Sequence, residues 1–359
     1  MRERTRHPRH PIAAFLWRQR GALSPLVILT HDHPDPDAIA SAWALAHLAG
    51  RLGGVRTRIV YGGVIGRMEN QMMVRTLRVP IRPVKPPELT LVAHVALVDT
   101  QPPFQNNRFP PRQRATLVID HHRRNPNTTA DFLLIDESAG ATTTLLAEAL
   151  VASGLEVPSR LATALVYGIG SETQNLGREA GPRDIAAYRT FFPKASIASL
   201  SKIQNPPRPG SFFTTLGRAI HHAFISGRII GVHLGSVPSQ DVVAHMADFL
   251  LTHEQMRWSI VTGRYAGRLF VSLRTRNPRA EAGQLLWRLL GSGTSAGGHA
   301  MIAGGSIAVG QDASKAAWVA AERRVTTDFL NSQGYQAPFA VAYPFRVKSA
   351  RHFPGSNLA

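Results

Sequence analysis

The chain has 359 residues, beyond the size at which a single core usually stops growing, so two domains are expected, and 44% hydrophobic residues give each a core. With no cysteine there is no disulfide, thiolate ligand or cysteine nucleophile; the composition is compatible with a reducing cytoplasm, and any metal site must use Asp, Glu and His. Lys and Arg number 41 against 23 Asp and Glu, a net charge of +18 that favours a polyanionic partner.

No apolar run reaches the roughly 18 residues of a membrane span, and IAAFLW is too short for a span or a signal core. A soluble, cytoplasmic protein with no membrane partner is expected. Residues 1–24 read as a basic N-terminal extension, with the Arg-rich MRERTRHPRHP as a mobile tail. From Leu26 to about Phe192 short β-branched runs alternate with helical periodicity, the pattern of an α/β fold with a doubly wound parallel sheet. LVILT leads into a helix from about Ala38 to Leu52, and TRIVY, VALVD, TLVID and FLLID follow as strands. ATTTLLAEALVASG and SRLATALVYGIG are helices, the second ending at Gly168 to Gly170, just before Glu172.

This first domain is assigned residues 25–200. SKIQNPPRPGS, residues 201–211, carries three prolines and a glycine and reads as a linker. Residues 212–345 form a smaller α+β domain. Its strands are RIIGVHLG, SIAVG and the two halves of WSIVTGRYAGRLFVSLRT, which turn near Tyr265-Ala266-Gly267; its helices are VVAHMADFLL, AEAGQLLWRLL and SKAAWVAAERRVTTDFL. Residues 346–359 read as a C-terminal tail whose end, RHFPGSNLA, is expected to fray.

Chemistry concentrates in the first domain. HDHPDPDA (His31 to Ala38), the Asp99 of ALVDTQPP and VIDHH (Asp120, His121, His122) each follow an apolar run that reads as a buried parallel strand. Carboxylates and imidazoles at the carboxyl ends of adjacent parallel strands converge on one crevice, and oxygen and imidazole donors there suit a pair of divalent ions. Pro34 and Pro36 stiffen the first turn. An ordinary Asp N-cap would account for Asp37, but not for His31 and Asp35 together. Asp120-His121-His122 offers one ligand imidazole, a second imidazole for phosphate, and an Asp able to orient an imidazole. The other adjacent pair, His221-His222, reads as a solvated or helical surface feature. Met68, Met72 and Met73 read as gap-filling residues, and Trp43, Trp258 and Trp287 as packing, with one of them open as a base-stacking platform.

These motifs, over roughly residues 25 to 345, resemble the DHH phosphoesterases, among them RecJ-like exonucleases, nanoRNases, phosphoadenosine-phosphate phosphatases, cyclic-dinucleotide phosphodiesterases and family II pyrophosphatases. HDHPDPDAIAS is similar to the family's first motif, ALVDTQP to its second and VIDHH to its third. GSETQNL stands in the place of the fourth, with Glu172 where an Asp is usual. The resemblance implies that His31, Asp35 and Asp99 hold one ion, and that Asp37, Asp99, His121 and Glu172 hold the other, Asp99 bridging. His122 would contact the phosphate and Asp120 would support the histidines. Two divalent ions are implied, Mn²⁺ favoured and Mg²⁺ the alternative.

In the second domain SAGGHAMIAG, containing Gly297, Gly298 and His299, resembles the GGGH motif of the DHH-associated domain. Glycines there would let backbone N–H groups approach an anion, with a helix starting near His299. Arg274, at the end of VSLRTR, would face the substrate across an interdomain cleft. Arg67 and Asn70 either face that cleft or simply start a helix. The resulting expectation is a metal-dependent phosphoesterase hydrolysing short oligonucleotides or related nucleotide phosphates, an oligoribonuclease or exonuclease, by two-metal-activated water. Cyclic-dinucleotide, phosphoadenosine-phosphate and polyphosphate hydrolysis are alternatives within the class, and a weakly active nucleic-acid-binding protein is the alternative outside it. Oligomeric state is open, a homodimer included.

Overall fold

The computed structural model describes residues 9–85, 87–104, 106–291, 295–298 and 300–346. The chain divides into two compact units, 1–206 and 207–359. In order, the first unit comprises α1 (Pro11–Gln19), β1 (Leu26–Leu29), α2 (Pro36–Gly53), β2 (Thr57–Tyr61), α3 (Met68–Leu77), β3 (Ile81–Pro83), α4 (Glu88–Leu91), β4 (His94–Val98), β5 (Ala115–Asp120), β6 (Ala130–Ile135), α5 (Thr142–Ala152), α6 (Ser159–Glu172), α7 (Pro182–Phe191) and α8 (Ile197–Gln204). Its six strands are parallel in the order β3-β2-β1-β4-β5-β6. Burial on both faces explains why LVIL and ATLVID carry unbroken apolar runs instead of alternating. Ile28, Ile59, Val98 and Ile119 pack on one face against α2, α5 and α6, whereas Val27, Leu29, Val60 and Leu97 meet Leu89 of α4 and Phe109 of the 99–114 connection on the other.

Three expectations about this unit are revised. The stretch before residue 25 is not all extension: Ile12, Phe15 and Leu16 of α1 are buried in the larger core, because PIAAFLW places its apolar residues on one helical face. Helix α6 continues through Ser171 to end at Glu172, past the glycines expected to stop it. The irregular connection is shorter than 201–211, since α8 runs to Gln204 ahead of the first proline and the next helix begins at Gly210.

The second unit comprises α9 (Gly210–His222), β7 (Phe224–Ser226), β8 (Ile229–Ser236), α10 (Asp241–Leu251), β9 (Trp258–Tyr265), β10 (Arg268–Thr275), α11 (Ala282–Leu290), β11 (Ser295–Gly298), β12 (Ile302–Ala308) and α12 (Lys315–Ser332). Its sheet runs β11-β12-β10-β9-β8-β7, antiparallel except for β8 beside β9. One face packs on α11 and α12, the other on α9 and α10. Ala266 and Gly267, with φ of 48° and 72°, make the two-residue turn expected between β9 and β10. Among the described residues no helix is long and apolar enough to cross a membrane.

If α1 belongs to the first unit's core, Leu16→Ala should destabilise that unit by about 2 to 5 kcal/mol, the cost of emptying a buried leucine site. Urea unfolding followed by hydrogen exchange of unit-specific peptides reads the loss, and an unshifted first-unit transition would return α1 to a dispensable extension.

Candidate metal centre

Strand connections leave β1 toward β2 and β4 toward β5, so the sheet switches direction between β1 and β4, where Leu29 pairs with Leu97. His31 lies two residues beyond β1, Asp99 directly follows β4, and Asp120 closes β5 ahead of His121 and His122. All three motifs therefore reach the carboxyl ends of neighbouring strands at the switch point, the usual ligand crevice of an open α/β sheet.

Asp99 is the centre of the arrangement. The ligand atoms of His31, Asp35 and Asp99 lie within 4.8 Å of one another, and so do those of Asp99, His121 and His122. One Asp99 oxygen, Oδ2, faces His31 Nε2 at 3.6 Å; the other, Oδ1, faces His121 Nε2 at 3.7 Å. His31 Nδ1 is 2.9 Å from the carbonyl of Asp32, and His121 Nδ1 is 3.2 Å from that of Ala139. A carbonyl only accepts, so each Nδ1 carries a proton and each Nε2 is the ring atom facing the crevice, able to present a lone pair to a cation that displaces any proton there. His121 Nε2 is buried without a hydrogen-bond partner, 3.8 Å from Asp37 Oδ2. Such separations suit donors arranged round an ion with bonds of about 2 Å, so the residues fit a divalent cation.

The supports of these groups come largely from residues that the motifs did not flag. Asp35, not Asp37, is the N-cap of α2, its Oδ1 accepting from Ala38 N at 3.0 Å, with Pro36 preset at the first helical position. Asp37 is instead clamped by the start of α5: Thr142 N donates to Oδ2 at 2.8 Å and Thr143 N to Oδ1 at 2.7 Å. Thr142 Oγ1 also donates to Asp99 Oδ1 at 2.8 Å. The helix end thus turns unpaired N–H groups on the carboxylates. Ala-Thr-Thr-Thr before an apolar run was the signal available for it.

Asp120 supports His122 alone, its Oδ1 2.8 Å from His122 Nδ1. Gln101 fixes Asp120 in turn: its Nε2 donates to Asp120 Oδ2 at 2.7 Å, and its Oε1 accepts from Asn125 N and Thr128 Oγ1, both at 2.8 Å. Burial works against a charged His122, but the Asp120 hydrogen bond and the charges of Asp99 and Asp120 outweigh it and raise the imidazole to about 10.

Glu172 sits on the last turn of α6, outside both tight clusters. Its Oε1 is 3.8 Å from Arg178 Nη2, which also donates to the Glu172 carbonyl at 3.0 Å. Nε and Nη1 of Arg178 are buried without hydrogen-bond partners, making this residue a site cation that sequence reading missed. Burial, then repulsion from Asp35 and Asp99, pushes Glu172 up to about 8. Burial likewise drives Asp37 well above the carboxylate range, with Asp99, Asp35 and Glu172 pushing the same way. The cluster holds more negative charge than its own groups balance, which a pair of divalent cations would relieve.

The second unit departs from expectation. Arg274 is only 4% exposed; its Nε donates to Asp248, and its Nη1 to Ser272 Oγ, Leu273 O and Ala303 O. It lies within β10, paired with Ser259 of β9 on one side and Ile302 of β12 on the other, and is fastened to the sheet. Gly297 and Gly298 close strand β11 and β12 begins at Ile302, so no helix starts in the described residues between them; His299 itself lies outside the described residues. Gly298 has a φ of 149°, and a Cβ on it would lie 2.1 Å from the Ile302 carbonyl oxygen. Its smallness therefore serves strand approach, while a Cβ on Gly297 would meet nothing within 4 Å. In the first unit Arg67 is the N-cap of α3, and Asn70 is buried with Nδ2 3.5 Å from the Pro34 carbonyl. Met73 and Trp258 are core residues, and Met72 and Trp43 pack against the core, but Trp287 is 55% exposed.

A parallel sheet ordered in this way, with acidic and imidazole donors at its switch point, defines an α/β metal-site domain. Residues 25–169 match the DHH family, N-terminal domain. It is 35% identical over 290 residues to an uncharacterised protein of Methanocaldococcus jannaschii, covering 80% of this chain and 59% of that protein. It is 28% identical over 181 residues to a probable manganese-dependent inorganic pyrophosphatase of Lactobacillus helveticus, covering 50% and 54% respectively. The chain thus spans little more than half the length of these relatives. Among solved structures, an exopolyphosphatase-related protein from Bacteroides fragilis shares the fold with a TM-score of 0.67 at 12% identity, covering 89% of this chain and 97% of that one. RecJ from Thermus thermophilus, in complex with Mn²⁺, aligns with a TM-score of 0.50 at 14% identity, covering 90% and 54%.

The raised carboxyls set a pH dependence. Glu172 has a folded value of about 8 against an ordinary 4.5, so between these values the native state holds more protons than the unfolded chain, and stability falls as pH rises. Asp37, His31 and His122 are shifted upward too and act in the same direction. Metal-free protein in EDTA should show a declining urea midpoint from about pH 5 to about pH 8, and added Mn²⁺ should restore more stability at the upper end, where fewer protons compete. A midpoint that is flat or rises across this window would contradict the crowding.

Proposed function

We propose that this chain is a metal-dependent phosphoesterase that hydrolyses short oligonucleotides or related nucleotide phosphates. The observation that carries the reading is Asp99, whose two oxygens face two separate imidazole-containing clusters. His31, Asp35 and Asp99 would hold one divalent ion, and Asp37, Asp99 and His121 the other, with Glu172 completing the second. When bound, the ions would polarise phosphoryl oxygens and acidify the attacking water; Mn²⁺ is favoured, in keeping with the relatives named as manganese-dependent.

The chain's own groups do the rest. His122 donates from Nδ1 to Asp120, which leaves Nε2 as the ring nitrogen that would contact an incoming phosphate. Asp120 is fixed by Gln101, so the ring cannot swing. Thr142 keeps Asp99 in its shared orientation, and Thr142 and Thr143 hold both oxygens of Asp37. A second reading, cleavage of pyrophosphate or polyphosphate, takes support from the names of the Lactobacillus and Bacteroides proteins.

The deciding experiment incubates the full chain and Mn²⁺ with a ladder of 5′-labelled oligonucleotides from the dinucleotide upward, beside cyclic dinucleotides, adenosine 3′,5′-bisphosphate, pyrophosphate and tripolyphosphate. Fastest turnover of the shortest oligonucleotides supports the proposal; turnover confined to pyrophosphate or tripolyphosphate replaces it with the second reading.

Substitutions in the site divide the roles. Asp99→Ala should bring turnover to background and lower the affinity of both ions, whereas His122→Gln should lower kcat about 100- to 10,000-fold with metal content retained. Glu172→Gln should weaken one ion selectively, since an amide oxygen replaces a charged carboxylate. Equal metal occupancy and equal rates in wild type and Glu172→Gln would remove Glu172 from the ligand set.

A further inference from the structure

The second unit contains a cavity of about 510 Å³ that the proposed chemistry leaves unused. Its lining includes Arg228, Arg257, Arg276, Asn277, Gln333 and Tyr335. An adjoining hollow shares the same three arginines and is otherwise walled by residues 227 and 254–256. The arginine row is therefore common to both hollows.

Backbone pairing creates the row. Arg228 precedes β8, Arg257 precedes β9 and Arg276 follows β10, each one residue outside the register that joins Ile229, Trp258 and Thr275. Arg257 N donates to Arg228 O at 2.8 Å and Arg276 N to Arg257 O at 3.1 Å, so the three are consecutive rungs at one end of the sheet. Like charges on neighbouring strands repel. Among the described residues none of the three makes an ion pair with an acid, although Glu254 borders the second hollow.

The three are not equivalent. Arg276 reaches back to the end of α10, donating from Nη2 to Leu251 O at 2.9 Å and from Nη1 to Glu254 O at 3.2 Å, and is thereby fixed. All three are exposed. The Tyr335 hydroxyl accepts from Arg228 N at 3.1 Å, which leaves its own hydrogen to donate. With the amides of Asn277 and Gln333, the cavity is rich in donors, and no carboxylate is among its lining residues. A cavity of this size exceeds one phosphate and matches a nucleotide-sized ligand.

We propose that this sheet end binds a nucleic-acid strand, with a backbone phosphate on the arginine row and a nucleoside in each hollow. The proposal extends the reading of the chain as acting on nucleotide phosphates, but it stands on the second unit alone and its test needs no turnover. The strand source is favoured over a free phosphate by the two hollows flanking one row of charge, the layout of a phosphodiester between two nucleosides.

The test measures binding of a short fluorescein-labelled single-stranded oligoribonucleotide to the full chain in EDTA, across a salt series. Arg228→Gln/Arg257→Gln is compared with Arg288→Gln/Arg323→Gln, a control that removes the same charge from helix positions in the same unit. Arg276 is kept because it caps α10. The first double variant should weaken binding about tenfold or more and flatten the salt slope by about 0.7 for each phosphate that is no longer neutralised, with the control near wild type. Urea midpoints confirm that both variants fold. Equal affinities and slopes for the two double variants, or no strand binding by wild type at low salt, would overturn the proposal. Displacement of the strand by an equal concentration of phosphate groups as inorganic phosphate would reduce the site to a simple phosphate pocket and overturn the strand assignment. Because EDTA silences any metal chemistry, an inactive enzyme that still binds through this row would leave the proposal standing while the catalytic reading falls.

Discussion

Asp37, Asp99 and Asp120 are at most 2% exposed yet meet in one strand-end crevice, where water cannot compensate three negative charges. The surrounding structure is organised to supply that compensation. Parallel pairing delivers Asp99 and Asp120 side by side, α2 brings Asp37 from its first turn, and α5 points its free N–H groups and Thr142 at them. Protein donors satisfy part of each carboxylate and leave a remainder facing His31 and His121. That remainder specifies a cation more strongly than any single residue does, since removing the cation leaves repulsion that only proton uptake can relieve.

The two units handle charge in opposite ways. In the first, buried acids gather with few bases among them. In the second, Arg264 is matched by Glu322 at 2.8 Å and the buried Arg274 by Asp248, while Arg228, Arg257 and Arg276 stand in an exposed row. A net +18 is thus the surplus of a chain that keeps many of its functional acids inside and its unmatched bases outside.

What could be read from sequence was whatever depends on local order. LVILT followed by HDHPDPD places a His and two Asp at a strand end however the rest of the chain folds, and the same holds for VALVD and VIDHH. The clamps were not legible because they depend on the approach of distant segments: Thr142 reaches Asp37 across 105 positions, and Gln101 reaches Asp120 across 19. Arg274 was misjudged for a related reason. Alternation along VSLRTR does not reveal that an acid on α10 will meet the guanidinium. The glycines of SAGG were attributed to an anion when the nearest occupant of Gly298's space is the chain itself, at Ile302 and Ala303. Likewise, α1 joins the core although its flanks are basic, because a short amphipathic segment carries no mark of what it will cover.

Asp99 faces two clusters with one carboxylate, and if each takes an ion, as proposed, their occupancies would be thermodynamically inseparable. The Asp99 carboxylate, once held by an ion on one side, would lose its freedom of rotation and some of its charge, and so would offer a second ion a ligand already ordered but less negative. Ordering favours the second event and charge withdrawal opposes it, and whichever dominates must act equally in both directions. A protein with such a shared ligand would have no two intrinsic metal affinities to assign: each site's constant would be defined only for a stated occupancy of the other.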